Sequence, residues 1–159
     1  MTMRYADLKI TRLPASEDIP FYLLLLADET IAAIEKYIHD SEIYVAKANE
    51  CPNTIGIFVL QRINEEEIEI KNIAVAETCQ GKGIGSYMID EIKRIASAAN
   101  YRYIIVGTPD SSLRQINFYQ RNGFTKFDLR KNFFIENYPE PIIEDGIVLR
   151  DMMVLRMNL

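Results

Sequence analysis

The stretch whose residue types and spacing point most directly to chemistry is Gln80-Gly81-Lys82-Gly83-Ile84-Gly85. Glycine lets the backbone turn with positive φ and approach a ligand closely. The amides of a helix's first turn lack intrahelical partners and carry the positive end of the dipole. Set between a strand and a helix, such a loop is a candidate cradle for a diphosphate, although the glycine spacing alone suits a structural turn equally well. Two phosphate motifs are excluded. A Walker loop needs Lys-Ser/Thr directly after its last glycine, whereas Gly85 is followed by Ser86-Tyr87. A dinucleotide fold needs Gly-x-Gly-x-x-Gly, and Gly81-x-Gly83-x-Gly85 has the wrong spacing.

The flanking segments must position this loop. Before it, Glu67 to Val75 alternates as a strand with Ile68 and Ile70 on one face, and then the apolar parity shifts to Ile73 and Val75. A one-residue slip moves every side chain to the other face, so a β-bulge near Lys71-Asn72 is the economical reading. After the loop, Ile84, Met88, Ile92, Ile95 and Ala99 recur every three or four residues, which predicts an amphipathic helix.

The remaining chain reads as one domain of 159 residues, large enough for its own core. Met3 to Arg12 is a first strand. Asp18 to Ala27 is too short to span a bilayer and reads as a buried helix; Thr30 to Ile38 is a second helix with Ile31, Ile34 and Ile38 on one face. Glu42 to Ala48, Thr54 to Ile63 and the central strand form three consecutive antiparallel strands. Tyr101 to Gly107 is nearly continuously apolar, as for a strand buried on both faces. Pro109-Asp110-Ser111 starts a helix that stops at Gly123, and Phe124 to Leu129 with Val148 to Met157 form a closing hairpin across a long Phe133 to Pro141 connection. The order is α+β, with a mixed, mostly antiparallel central sheet, one βα crossover and helices on both faces.

An apolar fraction of 48% and a charged fraction of 26% describe an ordinary globule. The net charge of −5 argues against nucleic acid and either favours cationic ligands or serves solubility alone. No segment reads as a membrane span. Cys51 and Cys79, with no signal peptide before them, point to a reducing cytoplasm. Cys79 adjoins the loop without a nearby histidine and is not read as a nucleophile. His39, the single histidine, has no partner for a metal site and reads as a solvated helix end, so no metal is expected.

The loop resembles the Gln/Arg-x-x-Gly-x-Gly/Ala signature of the GNAT superfamily of acyl-CoA-dependent acyltransferases, matched by Gln80, Gly83 and Gly85. Phe118-Tyr119 followed by Gly123-Phe124 resembles the family's aromatic-Tyr-x-x-x-Gly-Phe segment, and the element order is similar to the GNAT topology across nearly the whole chain. The resemblance departs at Ser112, where the family usually places an Asn that contacts the cofactor, and at Gln115, where a small residue is usual. A serine hydroxyl still donates, so the contact is expected to survive in weaker form.

The resemblance implies acetyl transfer from acetyl-CoA to a primary amine by direct attack in a ternary complex. The coenzyme A pyrophosphate would lie on Gln80, Gly81, Lys82, Gly83, Ile84, Gly85 and Ser86, and the pantetheine arm along Ile73, Ala74 and Val75, with Ser112 and Tyr119 from the following helix. An ammonium with a pKa near 10.4 needs a positioned base, for which the family position is Glu69, acting through water; the alternative is a solvated glutamate in the run Glu65, Glu66, Glu67, Glu69. A bulge amide near Ile73 would serve the oxyanion. Tyr119 would protonate the departing thiolate, its phenol facing the sulfur while Phe118 packs inward. The acceptor region falls on Phe21 to Ile38 and Phe133 to Ile147, whose Asp28, Glu29, Glu136, Glu140, Glu144 and Asp145 suit a small cationic amine such as an aminoglycoside, a polyamine or a lysine side chain. A homodimer stays open. The rival readings are a regulatory domain that binds acyl-CoA without turnover and an interaction module whose loop is only a turn.

Overall fold

The computed structural model describes residues 7–49 and 53–159. Residues 3–6 of the expected first strand, with Cys51 and Pro52, lie outside the described residues. Seven strands form the main sheet in the order β1-β2-β3-β4-β5-β9-β6. In chain order these are β1 (Leu8–Arg12), β2 (Glu42–Ala48), β3 (Thr54–Arg62), β4 (Glu67–Val75), β5 (Tyr103–Pro109), β6 (Thr125–Arg130) and β9 (Met152–Asn158). Among the described residues only β4 and β5 pair in parallel, and the crossover between them carries the long helix α3 (Ile84–Ala98). The closing strand β9 lies between β5 and β6.

The sheet has a core on each face, as the α+β reading expected. Phe58 and Leu60 of β3 pack with Ile68 and Ile70 of β4 beneath α3 and α4 (Leu113–Arg121). The intervening Ile57 and Val59 face the other way, against Leu23 and Leu24 of α1 (Phe21–Leu24), and Ile34 of α2 (Ile31–Glu35). Period-two alternation in one strand thus serves both layers. The buried stripe of α3 is Ile84, Met88, Ile89, Ile92 and Ala96, so Ala99 of the expected stripe stands outside it. Full burial of each large aliphatic chain here contributes about 1.5–3 kcal/mol.

The first two helices are shorter than expected. α1 is a single turn after Pro20, and Leu25 and Leu26 beyond it are exposed. Thr30 caps α2 by accepting from the Ala33 amide at 3.1 Å, but Ile31 is 52% exposed, and Tyr37 takes its place in the core. Neither segment has the length to hold itself together, and tertiary packing decides where each ends. The connection after β6 is structured: α5 (Phe133–Asn137) precedes a two-residue ladder of β7 (Ile143–Glu144) and β8 (Ile147–Val148). Val148 therefore belongs to this ladder and not to the closing strand. His39 is exposed with Nε2 2.6 Å from Glu35 Oε2. No helix among the described residues is long and apolar enough to cross a membrane.

Candidate active site

The apolar parity shift in β4 is a bulge at Lys71. Across β3, Asn72 pairs with Val59 while Ile70 pairs with Leu60, so Lys71 is the extra residue. The insertion keeps Ile73 and Val75 on the same face as Ile68 and Ile70, packed toward α3. It also turns Lys71 and Asn72 toward Tyr37: Lys71 Nζ is 5.5 Å from the Tyr37 ring centroid, and Asn72 Nδ2 donates to the Tyr37 hydroxyl at 3.1 Å and to the Leu24 carbonyl at 3.0 Å.

Immediately after the bulge the sheet opens. The pairing of β4 with β5 ends at Ile70↔Val106, while β4 stays on β3 to Val75↔Gly56 and β5 stays on β9 to Pro109↔Met152. The Ala76 amide donates to the Ile55 carbonyl of β3, so alternation turns the backbone groups of Ile73 and Val75 to the opposite edge, where β5 has diverged. A cavity of about 530 Å³ occupies this gap, within the size range of small-molecule sites.

One wall is the end of β4, with Ile73, Ala74 and Val75. The glycine loop and the start of α3 supply Gln80, Gly81, Gly83, Ile84, Gly85 and Ser86. Gln80 Nε2 donates to the Val75 carbonyl at 3.0 Å and ties loop to strand. Gly83 caps α3 at φ +80°, a conformation that favours glycine. The first helical bond runs from the Tyr87 amide to the Gly83 carbonyl, which leaves the amides of Ile84, Gly85 and Ser86 without helical partners. These are the donors and the dipole end that an anionic diphosphate requires. Gly85 serves a different purpose: a Cβ there would lie 3.1 Å from the Phe118 ring of α4.

The far wall is α4, with Arg114, Gln115, Phe118, Tyr119 and Arg121. Phe118, expected to pack inward, is half-buried over Gly85, while α4 buries Ile116 and Tyr119 and Tyr119 also lines the cavity. Tyr119 is 6% exposed, edge-on to Phe118 and Phe124 with centroids 5.2 and 5.6 Å away. Burial holds its pKa well above the usual phenol value, so it stays protonated.

Three predicted residues do not line the cavity: Lys82 is exposed, Ser112 donates to Glu144 Oε2 at 3.3 Å, and Glu69 lies behind the bulge. The solvated alternative for Glu69 is overturned, because it is 4% exposed and both oxygens carry cations, Lys71 Nζ at 2.7 Å and Arg130 Nη2 at 3.1 Å. On the α1 side, Asp28 accepts from the Tyr138 hydroxyl at 2.7 Å and the Tyr37 hydroxyl at 3.2 Å. Beside it, partial burial and the Glu144 and Asp28 carboxylates raise the Glu29 pKa. Among the described residues no group of His, Cys, Asp and Glu has a metal-binding arrangement.

The sequence model of the acetyltransferase (GNAT) domain matches residues 39–126. The uncharacterized N-acetyltransferase YvbK of Bacillus subtilis (strain 168) is 34% identical over 157 residues, 99% of this chain and all of that protein. This chain belongs to the GNAT acetyltransferase family. Among solved GNAT structures, an acetyltransferase from Elizabethkingia anophelis with acetyl-CoA bound is 43% identical at TM-score 0.91, covering 96% of this chain and 99% of its own. An IAA acetyltransferase from Bacillus cereus ATCC 14579 is 41% identical at TM-score 0.87 with the same coverage.

For this GNAT domain, sequence reasoning placed Tyr119 in the α4 wall and the α1 segment only broadly in an acceptor region, and it missed Arg114, Gln115 and Arg121 of α4 and Leu26 and Ala27 after α1 as lining residues. Arg114 and Gln115 are polar residues on an amphipathic helix, and nothing local separates them from solvated ones. Leu26 and Ala27 enter the cavity only because α1 ends after one turn.

Proposed function

We propose that the protein is an acetyl-CoA-dependent N-acetyltransferase acting on a small cationic primary amine by direct attack in a ternary complex. The observation that carries this reading is the opening between β4 and β5, which joins the β4 edge that β5 leaves to the α3 amides without helical partners in one cavity. The bound acetyl-CoA of the Elizabethkingia relative supports the co-substrate.

In this reading the α3 amides hold the pyrophosphate and the Ile73 and Val75 edge holds the pantetheine arm. Glu69 takes the ammonium proton through a water at the bulge. The freed nitrogen attacks the thioester carbon, and the Ile73 amide donates to the oxyanion. The C–N bond forms, the C–S bond breaks, and Tyr119, kept protonated by burial, gives its proton to the thiolate. The second proton of the attacking nitrogen passes to the phenolate and restores it, while Glu69 returns the first to solvent. Asp28, Glu29 and Glu144 lie on the α1 side and supply negative charge for the acceptor.

Calorimetric titration with acetyl-CoA, followed by thiol release with spermidine, kanamycin, a lysine peptide and IAA, tests the reading. Saturable binding with amine-dependent thiol release is expected. Binding without release from any acceptor would leave an acyl-CoA-binding regulatory domain, and absence of binding would leave only a turn.

A further inference from the structure

The α4 wall of the cavity contains a side-chain amide whose orientation is fixed from behind. Thr108 of β5 is 2% exposed, and its Oγ1 donates to Gln115 Oε1 at 2.6 Å. A carboxamide carries an acceptor and two donors on opposite sides, so anchoring the oxygen on Thr108 leaves the Nε2 hydrogens to point elsewhere. Gln115 lines the cavity, and its Nε2 has no protein partner among the described residues. Gln115 and Tyr119 are four residues apart on α4 and share a helix face. The amide therefore stands one helical turn before the proposed acid, and across the gap is the end of β4.

We propose that Gln115 donates from Nε2 to an amide carbonyl of the pantetheine arm of acetyl-CoA, with Thr108 as the residue that positions it. This rests on the reading that the cavity takes acetyl-CoA. Ser112, one turn earlier, has its hydroxyl on Glu144 and does not line the cavity, and the Tyr119 hydroxyl is taken by the thiolate in this reading, so the neutral α4 donor left for the arm is Gln115. The arm offers carbonyl acceptors at mid-length, while the nucleotide end offers phosphates. A neutral, pre-oriented donor suits the former, and Arg114 and Arg121 on the same wall suit the latter.

The test compares two ligands by calorimetry: acetyl-CoA, and 3′-phospho-ADP, which keeps the nucleotide and pyrophosphate without the arm. Gln115→Leu is expected to weaken acetyl-CoA about tenfold, as for one neutral hydrogen bond, and to leave 3′-phospho-ADP unchanged. Gln115→Glu retains an acceptor for Thr108 but has no donors, and is expected to lose acetyl-CoA affinity without a fall in melting temperature. Thr108→Val should lose part of the same affinity and Thr108→Ser should restore it. Wild-type affinity for acetyl-CoA in both Gln115 variants overturns the assignment, as does equal weakening of the two ligands. If the wild type binds neither ligand, the acetyl-CoA reading itself fails.

Discussion

Lys71 Nζ lies 2.7 Å from Glu69 Oε2, a pair made within β4 by the bulge residue itself. Lys71 is in the cavity wall and Glu69 is behind it, so the bulge sets a buried carboxylate one side chain away from the reaction space. Arg130 of β6 holds the other oxygen from the opposite side of the opening.

Glu69→Gln is expected to lower kcat by about 10²-fold at neutral pH with little change in acetyl-CoA affinity. Because an amine that is already deprotonated needs no base, the deficit should shrink as pH approaches about 10.4 for a lysine-like acceptor. The substitution also leaves Lys71 and Arg130 without their anion. A small rate effect that does not vary with pH, together with a lowered melting temperature, would reassign Glu69 as an anchor for these two cations.

Tyr119→Phe preserves the ring packing against Phe118 and Phe124 and removes the proton. Turnover is expected to fall by about 10²-fold or more at unchanged acetyl-CoA affinity, and an acyl donor with a more acidic thiol should suffer less. Since burial raises the phenol's pKa, the wild type should show no loss of its acid as pH passes about 10. A wild-type rate in Tyr119→Phe would make the tyrosine a packing residue.

The two glycines at the start of α3 should respond differently. Gly83→Ala places a side chain at φ +80° beside the unpartnered amides, and acetyl-CoA affinity should drop at least tenfold. Gly85→Ala meets the Phe118 ring at 3.1 Å instead, so shortening that ring with Phe118→Leu should recover part of the loss. Additive effects in the Gly85/Phe118 pair, measured as a double-mutant cycle, would show that the close approach is not the constraint.

Stability should fall in strong alkali. Burial first, and the Glu42 carboxylate second, push the Tyr44 pKa up to about 12, and burial also raises Tyr37, Tyr119 and Tyr138. An unfolded tyrosine ionises near pH 10, so the unfolded chain sheds these protons first. The contribution is full below about pH 10 and is lost as pH rises through the folded values. Melting temperature should be flat from about pH 8 to 10 and drop beyond, and less steeply in Tyr44→Phe. A melting temperature that holds to about pH 12 would contradict this.

The sequence alone determined the features that depend on neighbours along the chain. The parity shift from Ile68 and Ile70 to Ile73 and Val75 located the bulge, because these four side chains cannot share one face of the strand without an extra residue between them. Glycine spacing and the stripe of Ile84, Met88 and Ile92 located the loop and α3 for the same reason. Only the tertiary structure decided features whose partners are distant in sequence. Glu69 reads as one more acid in a solvated run until Arg130, 61 positions on, closes over it. Ser112 aligns with a cofactor contact until Glu144 takes its hydroxyl, and Gln115 is only a departure from the family's small residue until Thr108 anchors it. A hydrogen-bonding side chain has several partners in reach of its rotamers, and which one it takes is set by the packing of elements that no local pattern records.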